Sequence, residues 1–136
     1  MNGPVPAMTG AELQTIREYL GLSTRWLADY LDVGERKVMR WEDEDLQIPD
    51  AISGLVDDLY QEADQLVRWL AAEYRFKIRK QEGRGVVLTT YRTDAEFREA
   101  LEDRGYGNYQ MYPSRWHRML CARVIDRVPG VVVEYA

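Results

Sequence analysis

The sequence predicts a mostly α-helical protein that ends in a small α+β unit. Apolar residues recur at three- and four-residue spacing through most of the first 72 positions, which is the helical period. Two β-branched runs, "VVLTTY" at 86–91 and "VVVEY" at 131–135, have the composition of strands. The residues between those runs return to helical spacing twice, so the back half is expected to run β-α-α-β.

Residues 1–8, with Gly3, Pro4 and Pro6, are expected to form a flexible tail. Thr9 caps a first helix, about 10–20, whose inward face holds Leu13, Ile16, Tyr19 and Leu20, and Gly21 ends it as a left-handed cap. Ser23 caps a second helix, about 24–31. Asp32-Val33-Gly34 is a tight turn, and a third helix follows over about 35–43, with Glu35 at the positive end of its dipole. Pro49 suits the first turn of a fourth helix. Ile52, Leu55, Val56, Leu59, Ala63, Leu66, Val67 and Leu70 give it the strongest periodic signal in the chain.

"YRFKIRK" at 74–80 alternates like a strand, yet Leu70, Tyr74 and Ile78 also lie one helical turn apart. The helix is expected to win and run to about 79. A turn at 81–85 leads to the first strand. Thr93 caps a helix at about 94–104 with Phe97, Ala100 and Leu101 inward. Pro113 opens another to about 127, with Trp116, Leu120, Val124 and Ile125 on one face. The expected domains are 9–80, helical, and 81–136, α+β.

No apolar run approaches the roughly 20 residues of a membrane span, and "MNGPVPAMTG" has no secretory pattern. A single cysteine, Cys121, rules out an internal disulfide and fits a reducing compartment, so a cytoplasmic location is expected. The net charge of −5 argues against indiscriminate coating of nucleic acid. Residues 1–48 carry five basic and nine acidic side chains, net −4, so any nucleic-acid surface must be a local cluster. Such a cluster exists at Glu35, Arg36, Lys37 and Arg40. On composition alone a solvated helix face accounts for it.

Two short helices joined by a tight turn, the second one charged, have the layout of a DNA-reading helix-turn-helix. "LGLSTRWLADYLDVGERKVMRWED" resembles the phage-repressor and Cro-like helix-turn-helix family. The resemblance rests on Leu20-Gly21-Leu22, Ser23, Leu27-Ala28, Leu31, Val33, Val38, Arg40, Trp41 and Glu42, and covers residues 9 to about 60. It implies a lambda-repressor-like helical headpiece ahead of the β-α-α-β domain. It implies base-edge contacts from Glu35, Arg36 and Arg40, and phosphate contacts from Thr24, Arg25 and Lys37. It also implies a structural ion pair between Arg17 and Glu42. Thr24 stands where the family has Gln, Asp32 where it has Gly, and Gly34 where it has Ser or Thr. The whole chain also resembles a poorly characterised bacterial and phage group with a "YRTD"-like strand end and a "YPSRWHR"-like helix start.

The expected partners are double-stranded DNA, a second copy of the chain, and a protein bound through residues 81–136. The competing expectation is an antitoxin-like or phage adaptor that keeps the helix-turn-helix shape and binds DNA weakly. No cofactor, metal or catalytic residue is expected. His117 and Cys121 share a helix face, but two ligands make a poor zinc site and no third group orients a nucleophile. Tyr106, Tyr109, Tyr112 and Trp116 are expected mainly to close the core of the back half.

Overall fold

The computed structural model describes residues 8–82, 85–104, 109 and 111–136. The tail expected at the N-terminus lies outside them except for Met8, as do Tyr106 and the middle of the turn at 81–85. Among the described residues there are six helices and two strands: α1 (Gly10–Tyr19), α2 (Thr24–Leu31), α3 (Glu35–Glu42), α4 (Asp50–Lys80), β1 (Val86–Thr90), α5 (Asp94–Asp103), α6 (Ser114–Arg127) and β2 (Val131–Tyr135). None of these helices is long and apolar enough to cross a membrane.

The chain divides into two compact units, Met1–Glu62 and Ala63–Ala136. The division falls inside α4 rather than at residue 80, where the sequence placed it. The reason is that the later turns of α4 supply core to the back half: Ala71 and Tyr74 pack with Val86, Leu88, Cys121, Val124 and Val128. Helix prevails over strand at 74–80 for the same reason. It buries Tyr74 and brings Ile78 onto that core while Phe76 stays exposed.

In the first unit α1 and α2 begin at the capping residues the sequence marked, Thr9 and Ser23. The Thr9 hydroxyl accepts from the Glu12 amide at 3.0 Å, and Glu12 reaches back to the Thr9 amide, a complete capping box. Gly21 takes a left-handed φ of 69° after α1. Leu13, Leu20, Leu22, Leu27, Ala28, Val38, Trp41, Ile48, Val56 and Leu59 form the buried core. Leu55 shares their spacing but is exposed. Gly10 has a role the sequence did not reveal. A methyl group there would overlap the carbonyl oxygens of Trp41 and Glu42 and the side chain of Glu44, so only glycine lets α1 start against the end of α3.

In the second unit β1 and β2 pair in parallel, with Val86 opposite Val131 and Thr90 opposite Tyr135. Parallel neighbours need a crossover, which α5 and α6 provide. Asp94 fixes the two helices, accepting from the Ser114 amide at 2.8 Å and its hydroxyl at 3.0 Å. Ile125, expected on the inner face of α6, is exposed.

Candidate nucleic-acid interface

The turn between α2 and α3 is built from the main chain. The Ser23 hydroxyl accepts from the Trp26 amide at 3.0 Å and starts α2. Asp32 ends α2 in a left-handed conformation (φ 56°, ψ 48°), a role aspartate fills better than most residues other than glycine. The Val33 amide then donates to Ala28 O at 3.0 Å and closes the turn. Gly34 is the extended N-cap of α3 and makes no side-chain cap bond. The small Ala28, only 2% exposed, lets α2 and α3 approach.

α3 has two unlike faces. Val38 and Trp41 are buried, whereas Glu35, Arg36, Lys37, Met39 and Arg40 are exposed. Arg36 and Arg40 lie one turn apart, so both project from the same side. Arg25, at the start of α2, is exposed as well. None of Arg25, Arg36, Lys37 and Arg40 makes a side-chain hydrogen bond or ion pair among the described residues.

Two of the residues singled out in the sequence meet each other. The Thr24 hydroxyl donates to Glu35 Oε1 at 2.9 Å and joins the starts of α2 and α3. The phosphate and base-edge roles expected of them are therefore coupled in the free protein. Met39, 46% exposed between the two arginines, was overlooked in the sequence. An apolar side chain set among charges, off the buried stripe, was the available signal.

Arg17 and Glu42 pair in a bidentate fork. Arg17 Nε donates to Glu42 Oε2 at 2.7 Å and Nη2 to Oε1 at 2.8 Å, while Nη1 donates to Leu22 O at 3.0 Å. The two side chains are 12% and 7% exposed. The hydrogen bond to Glu42 raises the arginine pKa further, against the lowering effect of burial. Glu42 thus points into the unit, and only Asp43, Glu44 and Asp45 of the acidic run are exposed.

His117 and Cys121 of the second unit have the opposite of reactive electrostatics. His117 Nδ1 lies 2.8 Å from Thr90 Oγ1 and 3.6 Å from Cys121 Sγ. Burial, reinforced by Arg104 and Arg118, lowers the imidazole from 6.5 to about 4. Burial also raises the Cys121 thiol to about 11. A thiolate–imidazolium pair requires both shifts reversed. Nearby, Tyr112 stacks on Trp116 with ring centroids 3.9 Å apart, and both are buried, as expected of core aromatics; Tyr109 stacks on the same indole at 6.2 Å.

Two outcomes follow from this geometry. Glu42→Gln removes the buried partner of Arg17, leaving only the exposed Glu18 at 3.8 Å, and should destabilise the first unit by about 3 kcal/mol. An unchanged denaturation midpoint would show that the pair contributes nothing. For His117, the unfolded chain takes up a proton below pH 6.5 that the folded chain refuses until about pH 4. Its stability contribution is therefore intact above 6.5 and lost as pH falls through that window, by on the order of 2–3 kcal/mol. Comparing urea midpoints at pH 7 and pH 5 with those of His117→Gln tests this, since the variant should lose less.

No protein-family model matches the chain, and no curated protein matches it significantly.

Proposed function

We propose that the protein is a sequence-specific DNA-binding regulator of bacterial or phage type that places α3 in the major groove. The observation that carries this reading is the division of α3. One face is locked into the core by Val38 and Trp41, and the other presents Arg36, Lys37, Met39 and Arg40 without side-chain hydrogen-bond or ion-pair partners among the described residues. Unpaired guanidinium groups on a rigid helix match the paired acceptors of guanine, and an apolar side chain matches the thymine methyl. Arg36 and Arg40 read base edges in this account. Glu35 accepts from cytosine through the oxygen that Thr24 leaves unused. Thr24, Arg25 and Lys37 hold the phosphates. The protein acts as a homodimer in the cytoplasm on symmetric half-sites about one helical turn apart.

One observation favours an interaction module with weak DNA affinity instead. The stretch from residue 24 to 40 holds four cations but also Asp29, Asp32 and Glu35, net +1, in a chain of net −5. A salt titration on random duplex separates the two readings. A DNA binder loses affinity steeply, with a slope near −0.9 per phosphate contacted. On a site selected from a random pool, Arg36→Ala should cost about 1–3 kcal/mol and relax preference at one base pair. Lys37→Ala should weaken all duplexes alike and reduce the salt slope by about one. If Arg36→Ala and Arg40→Ala both bind every duplex as the parent does, α3 does not read DNA and the interaction module is the better account.

A further inference from the structure

A cavity of about 630 Å³ lies within the second unit, walled among the described residues by α4, β1, α5 and α6. Its lining is mainly aromatic and aliphatic, with Trp69 and Tyr74 from α4, Phe97 from α5, and Trp116 and Leu120 from α6. Small-molecule sites occupy about 300–1,000 Å³ and set a few converging polar groups in an apolar wall. The charged groups at this wall are Glu73, Lys77 and Arg104. Glu73 and Lys77 lie 3.6 Å apart and offset each other. The Arg104 side chain is exposed and has no hydrogen bond or ion pair among the described residues. Its charge acts on both Tyr74 and His117, two other residues of the wall, which places it at the cavity.

His117 adds a neutral donor. Its Nδ1 lies 2.8 Å from Thr90 Oγ1 and 3.6 Å from Cys121 Sγ. Thr90 and Cys121 do not line the cavity, whereas His117 does. Nδ1 therefore points away from the cavity, and Nε2, on the other side of the ring, points toward it. The hydroxyl and the buried thiol each carry a hydrogen to give. The network thereby assigns Nδ1 as the acceptor and puts the ring hydrogen on Nε2. Nε2 makes no hydrogen bond among the described residues.

We propose that this cavity binds a small aromatic carboxylate, with its ring against Trp69, Phe97 and Trp116 and its two oxygens on the Arg104 guanidinium and the His117 Nε2–H. Both of these groups only donate, so the ligand group between them must accept. One guanidinium without a counter-ion balances a single negative charge, and a phosphate dianion would be left short of positive charge. A cationic ligand would meet Arg104 and find Glu73 already held by Lys77. The site belongs to the second unit alone, so the proposal stands whether or not α3 reads DNA.

Titration of the full chain with naphthoate tests it, read by the ring nitrogen signals of His117. The free protein should show a neutral imidazole protonated at Nε2. Naphthoate should bind with a dissociation constant of about 1 mM or tighter and move the Nε2 signal more than that of Nδ1. Naphthamide, its uncharged counterpart, should bind at least about tenfold more weakly, and acetate, which lacks the ring, should leave both signals in place. Arg104→Gln should weaken naphthoate at least about tenfold and leave naphthamide unchanged, while Trp69→Ala should weaken both. Both substituted side chains are exposed, and circular dichroism checks that the variants fold. The comparison of carboxylate with amide needs no variant and decides on the parent alone. Equal affinity for the two overturns the proposal. So does a His117 ring protonated at Nδ1, which would turn an acceptor toward the cavity. No response of His117 to naphthoate at about 10 mM overturns it as well.

Discussion

The guanidinium of Arg17 holds both carboxylate oxygens of Glu42, and much of the first unit depends on that grip. α3 is only eight residues long, too short to persist in water on its own helical propensity. It survives because Val38 and Trp41 sink into the core and because its last residue is tied to α1 across 25 positions of sequence. The tie also draws the end of α3 against the start of α1, where the absence of a side chain at Gly10 leaves the space. With both the side and the end of α3 fixed, its outer face can carry four charges and a methionine without contributing to stability. A rigid element whose cations have no side-chain partners among the described residues is suited to recognition, since few internal contacts must be broken when it binds.

The parts of this arrangement that were legible in the sequence are the local ones. Periodicity marked Leu27, Ala28, Leu31, Val38 and Trp41 as one buried surface, and Thr9, Ser23 and Thr93 marked helix starts, because caps and stripes act within a turn or two of the residue that makes them. Asp32 could be placed in the turn because few other side chains accept a left-handed backbone. The pairing of Arg17 with Glu42 could not be derived from spacing and came from the family resemblance. The need for glycine at position 10, the bond from Thr24 to Glu35 and the exposure of Leu55 and Ile125 depend on which helices meet, and periodicity does not carry that information.

The second unit shows the same limit from the other side. Its element order followed from the two β-branched runs and the helical spacing between them. Which unit the later turns of α4 join did not, because "YRFKIRK" satisfies both periods and only packing against β1 and α6 separates them. The parallel pairing of β1 with β2 was likewise invisible: the sequence marks two strands but not their relative direction or register. His117 and Cys121, adjacent on α6 and suggestive as a pair, are held in unreactive protonation states by burial. What the second unit offers instead is a cavity with aromatic walls.

The central claim is that the exposed face of α3 meets the DNA. Mapping amide shift changes in the full chain as a duplex is added tests it most directly. The account predicts the largest changes at Thr24, Arg25 and residues 35–40, with the signals of Leu13, Val38 and Trp41 moving little. Changes confined to residues 63–136, or no changes at duplex concentrations that saturate weak non-specific binding, would contradict it.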